Sequence, residues 1–327
     1  MRKVLMSEKI DDAGIKLLQE NHFSVVTSPA TDVATMKKEI KDAYAVIMRS
    51  SELPDEVIDA GKELQIISRN GTGINNVDVD SATKHHVLVA KVNGANAFSV
   101  AEYALTCMLM LSRKIVDDDR LVREKKDSLA QYGSMPNFSS KMGINGNELR
   151  GKTLAILGVG KIGRQLAKFA NAFEMNVIGY DPYVKDDPVK MYDSLEEIYP
   201  IADFISIHMP LTPETEKMIG KKELAMMKSN AILINSARGG IVDEEALADA
   251  LNQHVIAGAA LDSFKPEPPA PDNPLFSADH VIMTSHIAGT TAEANQALGT
   301  GAAQAIIDFS NGKMPEFPVN PEVFGTK

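Results

Sequence analysis

Residues Thr153 to Asp181 restrict the possible fold more than any other segment of this chain. Thr153-Leu-Ala-Ile-Leu157 is a short apolar run, Gly158-Val-Gly160-Lys-Ile-Gly163 follows at once, Arg164–Phe173 has helical character, and Asn176–Tyr180 is a second apolar run ending at Asp181. Strand, helix and strand in succession form the crossover that adjacent parallel strands require, which a hairpin turn cannot supply. The segment therefore reads as a βαβ unit and requires a sheet with helices packed on it.

The glycine spacing adds chemistry to this geometry. A bare G-x-G-x-x-G is weak, but here it sits between strand and helix, with an acidic residue 18 positions after the last glycine. Gly158 permits a tight turn, Gly160 lets a pyrophosphate approach the backbone, and Gly163 lets helix and strand pack closely. The first helical turn, through Lys161 and Ile162, presents unpaired N–H groups to phosphate. Asp181 can accept bonds from ribose hydroxyls and would repel a 2′-phosphate. Pro182-Tyr183 follow it in place of an arginine, so NAD is the expected cofactor rather than NADP.

The same rhythm runs through the whole chain. Strands are expected at Val4–Met6, Phe23–Val26, Ala45–Met48, Ile66–Ser68 and Val87–Val89, with helices at Asp12–Glu20, Asp32–Ile40, Pro54–Ala60 and Val79–His85. The second half repeats it through six strand-like runs that end near Val281–Thr284. The expected fold class is α/β, with two doubly wound parallel-sheet domains. A length of 327 residues fits two domains at roughly 150 residues each. Val100–Lys126 reads as one long helix, either a connector that also packs against a second subunit or an ordinary core helix. Ser128–Asn147, rich in Gly, Ser and Asn, reads as a long surface loop, and Pro266–Pro271 as a short one.

Composition excludes several classes. With 34 basic and 44 acidic residues the formal net charge is −10, so the chain lacks the positive field that nucleic acid or anionic membranes require. Cys107 is the single cysteine, which rules out an intrachain disulfide and fits a reducing cytosol. The first residues turn charged too soon for a signal peptide, and no uncharged run approaches the ~18 residues of a membrane span. A cytoplasmic protein is expected.

Three chemically distinctive residues follow strand-like runs of the second half: Arg238 after Ala231–Ala237, Glu267 beyond Ala259–Phe264, and His286 after Val281–Ser285. In open α/β sheets ligands bind beyond the carboxyl ends of the strands. Each residue alone has an ordinary structural explanation. Beside a nucleotide loop, they suggest a catalytic group.

Several stretches resemble the D-isomer-specific 2-hydroxyacid dehydrogenase family: Gly158 to Gly163, Asn235-Ser-Ala-Arg-Gly-Gly-Ile-Val-Asp-Glu-Glu-Ala-Leu247, Asp262-Ser-Phe-Lys-Pro-Glu-Pro268 and Ser285-His-Ile-Ala-Gly289. Arg69-Asn-Gly-Thr-Gly-Ile-Asn-Asn-Val-Asp78 and Asn96-Ala-Phe-Ser-Val-Ala-Glu102 resemble its phosphoglycerate dehydrogenase branch most, the branch of serine biosynthesis. The resemblance implies roles. His286 would exchange the substrate hydroxyl proton, Glu267 would orient its imidazole, and Arg238 would bind the substrate carboxylate and polarise the carbonyl. Backbone amides of Asn70, Gly71, Thr72 and Gly73 would cradle the carboxylate. Asp262 would hold the nicotinamide carboxamide, and His208, Met209 and Pro210 would line the adenosine side. Val100, Ser236, Ala237 and Gly289 complete the implied cofactor contacts. No metal is implied.

The resemblance also implies a flavodoxin-like substrate domain of residues 1–98 and 292–327, a Rossmann NAD-binding domain of residues 99–291, an active site in the cleft between them, and a homodimer through residues 100–126. Some features depart from the family. Ser285 replaces the proline before the histidine, and the chain has no tryptophan. The segment expected to carry a phosphate-binding arginine reads Met135-Pro-Asn-Phe-Ser-Ser-Lys-Met-Gly143, leaving Lys141, Arg49 and Arg69 as basic candidates. With the sequence running only a few residues past Phe324, no appended regulatory domain is expected. Glu267 argues against the formate dehydrogenase pattern, which has glutamine there. Phosphoglycerate is the leading substrate, with hydroxypyruvate, glyoxylate or another short 2-keto acid as the alternative. A reading of another class is a non-enzymatic, NAD-sensing corepressor on the same fold.

Overall fold

The computed structural model describes residues 1–185 and 187–325; Asp186, Thr326 and Lys327, the last two from the expected 292–327 segment, lie outside them. The chain forms two compact units, Met1–Asn96 with Thr290–Lys327, and Ala97–Gly289.

The first unit contains β1 (Arg2–Met6), β2 (Phe23–Thr27), β3 (Ala43–Met48), β4 (Ile66–Arg69) and β5 (Leu88–Lys91). Their order is β2-β1-β3-β4-β5 and every pair is parallel. This is the doubly wound order in which the winding reverses between β1 and β3. Ala45, Val46, Ile47 and Met48 are all fully buried, as expected for a parallel strand covered on both faces. Aspartates start three of the helices: the side chains of Asp11, Asp32 and Asp78 accept bonds from the amides of Ala13, Thr35 and Ser81. The helix Ala292–Ser310 belongs to this unit. It buries Leu298, Ala302, Ala303 and Ile306 in the core, and Ser68 Oγ donates to Ala302 O at 2.9 Å. A Cβ on Gly14 would lie 2.4 Å from Gly299 O, so this helix and Asp12–Glu20 meet backbone to backbone.

The second unit contains β6 (Thr153–Leu157), β7 (Asn176–Tyr180), β8 (Lys190–Met191), β9 (Phe204–Ile207), β10 (Ile232–Asn235), β11 (Gly258–Leu261) and β12 (Val281–Met283). The sheet runs β12-β11-β10-β9-β6-β7-β8, again parallel throughout. From β6 the chain winds outward through β7 and β8, then returns to wind the other way from β9. The reversal falls between β6 and β9. Both sheets are those of parallel α/β domains, as the sequence rhythm required.

Two expectations are corrected. Val100–Lys126 is not one helix but two, Ala97–Ser112 and Ile115–Glu124. Lys114 between them adopts φ 54°, a left-handed conformation that redirects the chain. The first helix buries eight residues, whereas the second buries none, so nothing holds the two in one continuous register. The segment Ser128–Asn147 is not a long loop. Lys126–Tyr132 forms a 3₁₀ helix and Met135–Lys141 an α-helix. Ser134 caps the latter, Pro136 sits in its first turn, and Phe138 is fully buried with its ring edge-on to Tyr132 at 5.1 Å. Among the described residues no helix is long and apolar enough to cross a membrane.

Candidate active site

The glycine loop lies at the point where the second sheet reverses. Gly158 follows β6 with φ 98°, and a Cβ there would come within 2.8 Å of the His208 carbonyl at the end of β9. Gly163 touches the turn itself, since a Cβ would lie 2.4 Å from Gly158 O. Gly160 differs from both. Its φ is −83° and a Cβ would meet nothing within 4 Å. Neither backbone strain nor the protein's own packing requires glycine at this position, so the space it leaves is open to a ligand. The helix Lys161–Ala172 starts there without a side-chain cap. Asp181 accepts from Val159 N through Oδ2 and from Tyr183 N through Oδ1, both at 2.9 Å, and each oxygen keeps a second lone pair for a ribose hydroxyl.

Three buried polar atoms without partners, His208 Nδ1, Ser236 Oγ and Ser263 Oγ, lie just past the carboxyl ends of β9, β10 and β11. A buried unpaired polar group costs about 1–3 kcal/mol, so three on adjacent strand ends indicate a ligand that supplies their partners. Burial lowers the His208 pKa to about 4, so the ring is neutral; its Nε2 lies 2.9 Å from Ser206 Oγ. Met209 is buried beside it, and Pro210 O accepts from Thr215 Oγ1 at 2.7 Å. Val100 is buried in the helix Ala97–Ser112. The open Gly160 cradle and these orphaned atoms fit a bound dinucleotide.

The contrast between two glycines gives a test. Gly160→Ala is expected to keep the melting temperature within a degree or two and to weaken NAD binding at least ~10-fold, read by fluorescence titration. Gly163→Ala is expected to lose about 1–3 kcal/mol of stability in urea unfolding, because its methyl meets backbone. Equal effects on stability would remove the argument from Gly160.

Beyond β12 the chain turns through Thr284, Ser285 and His286, and His286 adopts φ 59°. Its Nδ1 lies 2.7 Å from Glu267 Oε1, and both side chains are roughly half exposed, at 49% and 41%. A carboxylate only accepts, so Nδ1 donates the shared hydrogen, and in the neutral ring that tautomer leaves the lone pair on Nε2. Asp262 lies beneath this turn, almost fully buried. It accepts from Thr284 Oγ1 at 2.6 Å and Ile287 N at 2.7 Å through Oδ1, and from Ala288 N at 2.8 Å through Oδ2. Most of its acceptor capacity is thus spent on the turn that carries the histidine.

Arg238 follows β10. Asn235 brackets its backbone, donating to Arg238 O at 2.8 Å and accepting from Ala237 N at 3.1 Å. Arg238 Nη1 donates to Ala237 O at 2.6 Å. Gly239 leaves no room for a side chain, since a Cβ would lie 2.0 Å from Phe264 backbone atoms. His286, Glu267 and Asp262 are therefore joined through one turn, while Arg238 stands on the neighbouring strand ends without a bond to His286 or Glu267.

In the first unit, Asn70 Oδ1 is buried without a partner, and the amides of Thr72 and Gly73 donate to no group among the described residues. Thr72 Oγ1 donates to Val92 O at 3.2 Å. Arg69 is committed to this turn: Nε donates to Asn76 Oδ1 at 3.1 Å, Nη1 donates to Asn70 O at 2.6 Å, and the guanidinium covers Gly71. Arg49 is less constrained, with one long contact of 3.5 Å to Lys9 O. Lys141 lies over the Tyr132 ring at 5.4 Å, a structural seat that the sequence did not reveal. The sequence reading also missed Tyr103, whose hydroxyl lies 2.6 Å from Thr284 Oγ1, behind the histidine turn. The available signal was a phenol hydroxyl within the mostly apolar stretch Val100–Leu111, which also holds Glu102 and Thr106.

Comparison with known proteins gives the family. The model for the D-isomer specific 2-hydroxyacid dehydrogenase, NAD binding domain, matches residues 105–288. The D-3-phosphoglycerate dehydrogenase of Methanocaldococcus jannaschii is 38% identical over 326 residues, 98% of this chain and 60% of that protein. The glyoxylate reductase of Korarchaeum cryptofilum is 33% identical over 330 residues, 98% of this chain and 96% of that protein. The crystal structure of the TT0316 protein from Thermus thermophilus superposes with a TM-score of 0.87 at 29% identity, covering 97% and 99% of the two chains. The chain thus spans about 60% of the length of the phosphoglycerate dehydrogenases it matches first. With a matched NAD-binding domain and a similar relative covered almost end to end, the chain belongs to the D-isomer specific 2-hydroxyacid dehydrogenase family.

Proposed function

We propose that this chain is an NAD-dependent oxidoreductase that interconverts a D-2-hydroxy acid and its 2-keto acid. The observation that carries this reading is the 2.7 Å bond from His286 Nδ1 to Glu267 Oε1, on a turn at the carboxyl edge of a dinucleotide-binding sheet. NAD, held at the open Gly160 turn and the strand ends at His208 and Ser236, would supply the hydride acceptor for the substrate carbon. His286 Nε2 takes the hydroxyl proton as the carbonyl forms and returns it in the reverse direction. Glu267 fixes the tautomer that leaves Nε2 bare and stabilises the imidazolium that results. Arg238 offers planar donors to the substrate carboxylate and to the developing charge on oxygen. The amides of Thr72 and Gly73 are donors suited to receive the carboxylate, whereas those of Asn70 and Gly71 are already given to Met48 O and Arg69 O. In this reading residues 99–291 are the cofactor domain, and 1–98 with 292–327 the substrate domain.

The leading substrate pair is D-3-phosphoglycerate and 3-phosphohydroxypyruvate, supported by the 38% identity to an archaeal phosphoglycerate dehydrogenase. That activity would place the chain in serine biosynthesis, in the cytoplasm. Short acids such as glyoxylate or hydroxypyruvate are the second reading, supported by the glyoxylate reductase whose length this chain almost fully covers. The two separate by kcat/KM with NADH: a preference of ~10-fold or more for 3-phosphohydroxypyruvate over glyoxylate is expected. A reversed ratio would establish the second reading.

The protein is also proposed to be a homodimer. The helix Ile115–Glu124 buries no residue, and Ile115, Val116 and Met135 stand 49%, 43% and 49% exposed. Apolar groups left outside are the material of a subunit interface. Sedimentation at micromolar concentration is expected to show a dimer; a monomer alone would exclude it.

A further inference from the structure

We infer that Tyr103 and Thr284 are positioning residues for His286, acting through Asp262. The inference rests on the catalytic role proposed for His286, but its geometry stands independently. A row of hydrogen bonds runs from the helix Ala97–Ser112 to the histidine turn. Tyr103 OH lies 2.6 Å from Thr284 Oγ1, and Thr284 Oγ1 donates to Asp262 Oδ1 at 2.6 Å. Asp262 in turn accepts from Ile287 N at 2.7 Å and Ala288 N at 2.8 Å, the two amides that follow His286.

The direction of the row is fixed by hydrogen counting. Thr284 has one hydroxyl hydrogen and gives it to Asp262, so Tyr103 must be the donor to Thr284. Burial raises the Tyr103 pKa, which keeps the phenol protonated and able to donate. Cys107 beside it is raised to about 11, again by burial, and remains a neutral thiol.

The row acts on an uncommon backbone conformation. His286 sits at φ 59°, a left-handed conformation that residues with a Cβ adopt infrequently. Asp262 enforces it by grasping both following amides, and Thr284 fixes the turn on the other side. The outcome is the orientation that brings Nδ1 to Glu267. Tyr103 anchors the row to a helix that is itself rigid: Phe98 packs edge-on against Phe169 of Lys161–Ala172 at 5.1 Å, and Ala101, Ala104 and Met108 share a core with Leu166 and Ala167. The helix that supports the histidine turn is thus the one packed on the helix of the glycine loop.

The test uses Thr284→Val, which keeps the shape and removes the hydroxyl, Thr284→Ser, which restores it, and Tyr103→Phe, which keeps the ring. Nitrogen-15 spectra of histidine-labelled protein report the His286 tautomer, the signal being assigned by its loss in His286→Asn. The expected result is that Thr284→Val and Tyr103→Phe both lose the single Nδ1–H tautomer and that Thr284→Ser recovers it. In turnover, Thr284→Val is expected to lower kcat by ~10-fold or more, with KM for NADH within about twofold, since small misplacements of a reacting group are costly. Tyr103→Phe should fall between Thr284→Val and the parent. An unchanged tautomer in both variants overturns the inference, whatever the turnover. If the parent shows no turnover with any keto acid, the proposed activity fails, and the tautomer still decides the positioning role.

Discussion

His286→Asn is expected to lower kcat by about 10³-fold or more, the upper part of the range for general acid–base catalysis, and to leave NADH affinity within about twofold. Asparagine keeps a polar side chain of similar reach that can still bond Glu267, but it cannot exchange a proton near neutral pH. The imidazole is half exposed and its bond to Glu267 is solvent-accessible, so fold stability should change little. Steady-state kinetics give the first quantity and NADH fluorescence titration the second. Retention of a tenth or more of the parent kcat would remove His286 from the chemistry. Glu267→Gln should fall much less, because an amide oxygen can still accept the Nδ1 hydrogen while the charge that favours the imidazolium is gone.

Arg238→Ala is expected to reduce kcat/KM for the keto acid by about 10²–10³, the usual cost of losing a donor aimed at developing negative charge. The substitution should spare the fold. The structural bond at this position is made by the Arg238 carbonyl, which receives Asn235 Nδ2 and remains in any variant. Among the described residues the side chain makes one hydrogen bond, to Ala237 O. Arg238→Lys should recover a minor part of the rate, since an ammonium supplies charge without a planar fork. NADH binding and melting temperature serve as controls. A kcat/KM within threefold of the parent in Arg238→Ala would show that another group holds the carboxylate.

What the sequence disclosed and what it concealed have separate physical causes. Strands such as Ala43–Met48 were legible because parallel strands buried on both faces are continuous apolar runs. Gly158 and Gly163 were legible because only glycine fits there, whereas Gly160 was legible from the motif spacing alone, since a Cβ there would meet nothing within 4 Å. His286, Glu267 and Arg238 were legible from their places after strands, which the topology turns into neighbouring ends of one sheet. The break at Lys114 was not, because a single left-handed residue leaves no compositional mark. Ser134–Lys141 misled through its small polar residues, which serve as a cap and first turn around a buried Phe138. The bonds from Asp262 to the Ile287 and Ala288 amides were not legible, because its motif does not show which backbone groups fold against it. The bond between Tyr103 and Thr284 joins residues 181 positions apart and follows only from the folded sheet.

The most direct measurement of the central claim is the absorbance of NADH when purified protein is mixed with 3-phosphohydroxypyruvate, hydroxypyruvate and glyoxylate in turn, beside His286→Asn treated identically. The expected result is stoichiometric loss of NADH with at least one of these acids in the parent, and none on the same timescale in the variant, although both bind NADH. Binding of NADH without consumption by any of the three acids in the parent would contradict the claim and turn attention to a protein that senses the nucleotide without using it.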